Sequence, residues 1–131
     1  MEERPIILVV EVDEAIQGLV ADALTEGGYQ PAIVASAHEA VTLLQNGQAN
    51  YRALVIDIDW SDRTNGWEAA RKARKIAPEL PVLYMTAGAG NEWPSEGVPS
   101  SVLLQKPFAP AQLVTAVSQF LITDSTPPRA P

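Results

Sequence analysis

Residues 53–58 read Ala53-Leu54-Val55-Ile56-Asp57-Ile58. Four apolar residues run without interruption into one acid. An unbroken apolar run of this length is the pattern of a strand covered on both faces, as in a parallel sheet flanked by helices. The acid then marks the end of that strand. The same design opens the chain, where Ile6-Ile7-Leu8-Val9-Val10 leads into Glu11. It recurs at Val82-Leu83-Tyr84-Met85 before Thr86, and at Val102-Leu103-Leu104 ahead of Lys106-Pro107.

Helical patterns fill the intervals. From Glu14 to Glu26, Ile16, Leu19, Val20, Ala23 and Leu24 fall on helical spacing, and Gly27-Gly28 stops the helix. Pro31 to Ala35 is the second strand. Ser36-Ala37-His38-Glu39 is a capping box, opening a helix that ends near Asn46-Gly47. A polar loop from Asp59 to Gly66 precedes a helix from about Trp67 to Ile76. Pro110 suits the first turn of a last helix, Ala111 to Leu121, because its missing N–H is unpaired there in any case.

Strands alternating with helices of 10 to 15 residues imply right-handed parallel βαβ units. Such sheets bind ligands at the carboxyl ends of their strands. That rule predicts one rim where Glu11, Asp57, Thr86 and Lys106 meet. A single polar residue at a strand end is ordinarily only a cap. Two acids, a hydroxyl and an ammonium converging on one rim point to chemistry.

The chain has 131 residues, the length of a single domain. Hydrophobic residues make up 47% and charged residues 19%, a globular balance. With no cysteine there is neither a disulfide framework nor a thiolate site. No secretory leader or long apolar run is visible, which reads as cytoplasmic. A formal net charge of -7 opposes nucleic acid and anionic membrane surfaces as partners. Arg71, Lys72, Arg74 and Lys75 form the one basic cluster, expected as an exposed helix face. One domain is expected over residues 1–123, with a disordered proline-rich tail at 124–131.

Taken in order, Leu8-Val9-Val10-Glu11, Leu54-Val55-Ile56-Asp57-Ile58, Tyr84-Met85-Thr86-Ala87 and Lys106-Pro107-Phe108 resemble the receiver domain of two-component response regulators. The likeness spans about residues 5–122, and Lys-Pro-Phe after an apolar strand is its most specific motif. It implies a flavodoxin-like, doubly wound, five-stranded parallel sheet of order 2-1-3-4-5. It also implies phosphoryl transfer from a histidine kinase or phosphotransfer protein to the third-strand aspartate, beside a magnesium ion.

Carried over residue by residue, the resemblance makes Asp57 the phosphoacceptor, a carboxylate nucleophile in an in-line transfer. Thr86 would bond a phosphoryl oxygen, Ala87 would leave it room, and Lys106 would pair with Asp57 and then with the phosphate. Pro107 would follow a cis peptide. Glu11, Asp57 and the backbone carbonyl of Asp59 would hold Mg2+. The Asp59 side chain lies near enough to help, and Asp13, otherwise the cap of the first helix, stays open as a further ligand.

Three features depart from the family pattern. Val12 stands where the second acid of the metal pair belongs and offers no oxygen. Leu103 replaces the aromatic residue of the usual switch. Between Thr86 and Lys106, Gly88, Gly90, Pro94, Gly97 and Pro99 oppose a full fourth helix. A short turn around Asn91 to Ser95 and a mobile loop are expected instead. Trp93 then reads as a pin for that loop or as a partner anchor. Trp60 reads as a shield of the pocket, a kinase contact, or packing against Trp67. His38, alone of its kind, reads as a solvated helix residue.

No output domain is recognisable after residue 122, so signalling is expected through protein contacts. The family's partner face is formed by the fourth helix, fifth strand and fifth helix. On the fifth helix Leu113, Val117, Phe120 and Leu121 are expected inward, and Gln112, Thr115, Ser118 and Gln119 outward. That mildly polar face suits a monomer or weak dimer. Two functional readings stay open: a stand-alone receiver phosphorylated on Asp57, and a degenerate, phosphorylation-independent protein-binding module. Neither is an enzyme with a separate substrate. A flavodoxin-like cofactor binder is disfavoured, because no glycine-rich loop follows the first strand.

Overall fold

The computed structural model describes residues 4–59 and 63–125. Trp60 and residues 126–131 of the expected tail lie outside the described residues. Five strands, β1 (Ile6–Val10), β2 (Gln30–Val34), β3 (Tyr51–Asp57), β4 (Val82–Thr86) and β5 (Val102–Gln105), alternate with five helices. The helices are α1 (Glu14–Glu26), α2 (Ala37–Asn46), α3 (Arg63–Ile76), α4 (Trp93–Glu96) and α5 (Pro110–Ser125). The sheet is parallel with order β2-β1-β3-β4-β5, the flavodoxin-like arrangement expected from the sequence.

The unbroken apolar strands follow from having a helical layer on each face. Successive strand residues point to opposite sides. Leu8, Val10, Leu54, Ile56, Val82 and Tyr84 therefore pack with α2 and α3 residues such as Ala40, Trp67 and Ala70. Ile7, Val9, Ala53, Val55, Leu83 and Met85 pack with Val20, Leu24, Leu113 and Val117 of α1 and α5. Burying each of the Val, Leu, Ile and Met side chains contributes about 1.5–3 kcal/mol.

Local chemistry sets the helix ends. Asp13 caps α1, its Oδ1 accepting from Ala15 N–H at 2.8 Å and Ile16 N–H at 3.2 Å. The other end closes in a Schellman turn: Tyr29 N–H donates to Leu24 O and Gly28 N–H to Thr25 O. Gly28 takes φ 95°, so the left-handed position falls on the second glycine of the pair. At α2, Glu39 N–H donates to Ser36 Oγ at 3.1 Å. The Glu39 carboxylate reaches one residue further than a capping box requires, accepting from Ala35 N–H at 3.2 Å.

Several expectations are revised. The helix expected from Trp67 begins at Arg63, so Gly66 is helical and not a loop residue. The glycine is needed there because a Cβ would stand 2.9 Å from Ile58 Cγ2. Leu19, expected in the core, is 40% exposed. The buried stripe of α1 is narrow, and Val20, Ala23 and Leu24 fill it. Ser118 is not simply outward, since its Oγ lies 2.6 Å from Tyr29 Oη. Phe120 is only half-buried. Arg74 is no free surface cation: Nε donates to Leu80 O and Nη1 to Pro99 O, each at 2.6 Å. Helix α5 continues through Ser125, past the expected end at Leu121.

The segment after β4 is short and irregular, as its glycines and prolines predict. A single 3-10 turn, Gly90–Glu92, leads into the four-residue α4. It is fastened at several points, however, where a mobile loop was expected. Trp67 Nε1 donates to Glu92 Oε1 at 3.2 Å, and Arg71 pairs with Glu96 at 2.5 Å. The buried Tyr84 hydroxyl accepts from Val98 N–H at 3.1 Å. Trp93 is the pin among its two readings: half-buried, its Nε1 donates to Ser101 Oγ at 3.0 Å.

Candidate functional site

Parallel strands in register deliver their last residues to one rim. Val10 pairs with Ile56, Asp57 with Met85, and Thr86 with Gln105. Glu11, Asp57, Thr86 and Lys106 are thereby brought together, as the sequence predicts. Glu11, Asp57 and Thr86 are buried at 1%, 4% and 0% exposure. Buried acids demand compensation, since unpaired charge away from water is costly.

Lys106 supplies that compensation. Its Nζ lies 2.9 Å from Asp57 Oδ1, 3.5 Å from Glu11 Oε1 and 3.7 Å from Asp59 Oδ2. Burial works against the ammonium, but the hydrogen bond to Asp57 and the charges of Asp57, Glu11 and Asp59 outweigh it. The net effect holds Lys106 above its ordinary value. Glu11 is also raised, foremost by burial and further by the neighbouring Asp57 charge. Its carboxylate accepts from Asp13 N–H at 3.1 Å, and its carbonyl from Gln17 Nε2 at 2.5 Å. Gln17 was not anticipated, because a side chain reaching back to a strand-end carbonyl leaves no periodic signal.

The resemblance gave Asp59 a metal role through its backbone carbonyl, with its side chain near enough to help. The structure turns its side chain onto the rim, where Oδ1 accepts from Thr86 Oγ1 at 2.5 Å and Oδ2 from Ala87 N–H at 2.6 Å. Asp59 N–H in turn donates to Asp57 Oδ1 at 3.1 Å. Burial raises the Asp59 carboxyl, but the bonds from Thr86 and Ala87 and the Lys106 charge bring it below the ordinary value. Thr86 Oγ1 further accepts from Ala89 N–H at 2.8 Å and Gly88 N–H at 3.2 Å, so its proton is directed at Asp59.

The remaining positions are equally definite. Val12 is 56% exposed and contributes no polar atom to the rim. The Asp13 carboxylate caps α1 through Oδ1. Leu103, half-buried, packs on the α2–α3 side of the sheet and faces Gly90. The Lys106–Pro107 peptide is cis. Beside the rim, Ile16, Leu19, Ala87, Lys106, Pro107 and Phe108 line a shallow, mainly apolar hollow. His38 is exposed on α2.

The arrangement is a buried carboxylate beside a cation, with a hydroxyl and an amide aimed at an anion next to it. Residues 7–118 match the family model described as the response regulator receiver domain. A crystal structure of a response regulator receiver protein from Sinorhizobium medicae WSM419 superposes with TM-score 0.85 at 38% identity, covering 92% of this chain and 96% of the other. The receiver domain of the sensor histidine kinase PA1611 from Pseudomonas aeruginosa PAO1, solved with magnesium coordinated in its active-site cleft, shares the fold. It matches at TM-score 0.77 and 24% identity, covering 91% of this chain and 98% of the other. The response regulator MprA of Mycobacterium sp. (strain KMS) is 29% identical over 117 residues, 88% of this chain but 50% of that protein. The chain thus spans about half the length of the curated relatives it matches. A rim of this composition, on this sheet and in a chain matched almost end to end, places the protein in the response regulator receiver domain family.

Proposed function

We propose that the protein accepts a phosphoryl group on Asp57 from a histidine kinase or a phosphotransfer protein and signals through protein contacts. The observation that carries this reading is the Asp57–Lys106 pair at 2.9 Å, set in a buried rim beside the Thr86 hydroxyl and the Ala87 amide. An Asp57 oxygen would attack phosphorus in line. The bond from phosphorus to the donor's imidazole nitrogen would break, and the electron pair would stay on that nitrogen. Lys106 would hold the attacking carboxylate and then neutralise phosphoryl charge, while Thr86 and Ala87 would bond its oxygens.

The donor chemistry of the rim fits Mg2+. Glu11, Asp57 and the Asp59 main-chain carbonyl offer hard oxygens, and this ion commonly uses one or two carboxylates with several waters. When bound, the ion would offset charge on the transferring group. Among the described residues no set of three or more His, Cys, Asp or Glu side chains is grouped for a metal. The missing acid at Val12, where the family pattern places a carboxylate, supports weak binding. The magnesium in the PA1611 receiver makes the same ion the first to test here.

No described helix is long and apolar enough to cross a membrane, and we assign a cytoplasmic place to the protein. With the net charge of -7, its partners are proteins and not nucleic acid or membrane. The apolar hollow around Ile16, Leu19 and Phe108 adjoins the rim, where a donor protein must approach Asp57. The mildly polar α5 suits a monomer or weak dimer, and no separate substrate is assigned. The exposed Val12 favours a second reading, a phosphorylation-independent protein-binding module.

Incubation with acetyl phosphate, with and without magnesium, followed by intact mass spectrometry separates the two. A magnesium-dependent gain of one phosphoryl group, absent from Asp57→Ala, is expected. A gain seen only in Val12→Asp would instead establish the binding module.

A further inference from the structure

The rim already holds an anion. Thr86 Oγ1 donates to Asp59 Oδ1 at 2.5 Å, Ala87 N–H donates to Oδ2 at 2.6 Å, and Lys106 Nζ stands 3.7 Å from Oδ2. A hydroxyl, a main-chain amide and an ammonium thus converge on one carboxylate. These are the donors that would have to bind the oxygens of a phosphoryl group on Asp57. A hydrogen-bond donor cannot serve two well-aligned anions at full strength, and two anions in one seat repel.

The seat is also firmly made. Gly88 and Ala89 N–H groups donate to Thr86 Oγ1 at 3.2 and 2.8 Å. With its acceptor side engaged, the hydroxyl offers its proton to the rim, which a carboxylate or phosphoryl oxygen can take. Asp59 is anchored through its own backbone as well, with N–H donating to Asp57 Oδ1 at 3.1 Å. Its side chain keeps 25% exposure, so it has a way out to water without disturbing the core.

We propose that the Asp59 side chain occupies the phosphoryl seat of the resting protein and must leave it before Asp57 can be phosphorylated. The inference rests on the phosphoacceptor reading of Asp57. Asp59 then governs the rate of the reaction as a displaceable occupant. A donor that lets the Asp59 carboxylate swing outward would react faster than a small molecule that cannot.

The test is the rate of Asp57 phosphorylation by acetyl phosphate at saturating magnesium. Asp57 oxygen attacks phosphorus, the bond to the acetate oxygen breaks, and acetate leaves with the electron pair. Asp59→Ala should react about tenfold faster than wild type, the ratio for removing one occupant worth about 1.4 kcal/mol. Asp59→Asn, which keeps an acceptor but no charge, should fall between them. Wild type and Asp59→Ala reacting at equal rates, or the variant reacting more slowly, would overturn the inference.

A second measurement covers failure of the phosphoacceptor reading itself. If neither protein is labelled, inorganic phosphate is titrated while the Ala87 amide is followed by NMR. A shift at that amide in Asp59→Ala but not in wild type supports the occupied seat, whatever happens at Asp57. Equal shifts in both proteins, or none in either, dismiss it.

Discussion

Lys106 Nζ stands 2.9 Å from Asp57 Oδ1 and 3.5 Å from Glu11 Oε1, one cation between two buried acids carried by different strands. Its removal would leave both acids facing each other out of water. Lys106→Met should lower folding stability by about 3 kcal/mol, the scale for stripping the partner from a buried pair. Adding Asp57→Asn to that variant should restore part of the loss, because one of the unpaired charges goes with it. Urea unfolding of the four proteins in this cycle measures the coupling, and strictly additive losses would contradict it.

Tyr84 ties the irregular segment to the sheet through Val98 N–H at 3.1 Å, inside the core. Tyr84→Phe keeps the packing against Trp67, whose ring centroid is 4.8 Å away, and removes the acceptor. The stranded amide should cost about 1–3 kcal/mol. Denaturant midpoints report it, and faster hydrogen exchange at Val98 should accompany it.

Alkali should begin to lower the protein's stability above about pH 10, judged from the ordinary Tyr and Lys values. Burial raises the Tyr84 phenol, and Lys106 is also held above its ordinary value. Both groups keep their protons more tightly in the fold than in the unfolded chain. The stability this adds is complete below the unfolded values and is lost as pH rises through the folded ones. Thermal melts between pH 8 and 11 should show the decline, with a shallower slope in Tyr84→Phe.

Gly97 lies under the indole of Trp93, where a Cβ would meet Cδ1 closer than any real contact allows. Gly97→Ala should drive the ring from its site and break its bond to Ser101. The fluorescence difference between this variant and its Trp93→Phe derivative should then report a solvent-exposed indole. An unchanged emission maximum would mean that Trp93 is not pinned as the structure has it.

Asp13 shows how one residue can be read two ways. Both of its cap bonds use Oδ1. Asp13→Ala should cost about 1 kcal/mol through loss of the cap. Magnesium affinity, measured by calorimetry, should stay unchanged, whereas an inner-shell role would make it fall.

The layer structure and the rim were legible from residue order alone. Apolar runs such as Ala53–Ile56 demand cover on both faces, and that demand dictates alternating strands and helices. Parallel strands then bring Glu11, Asp57, Thr86 and Lys106 to one edge with no further information. The short α4 was equally legible, since Gly97 and the nearby prolines act locally. Side-chain destinations belonged to the tertiary structure. Whether Asp59 faced a metal or Thr86 depended on where the loop after β3 met the end of β4, residues 27 apart in sequence. Leu19 and Ile16 have the same helical credentials as Val20, yet the seating of α1 on the sheet left Leu19 in the open. Arg74 looked like surface charge until the turns at Leu80 and Pro99 folded back within its reach. Periodicity sets which face a residue lies on, because it follows from backbone geometry alone. It cannot say which donor waits there, because that partner comes from another part of the chain.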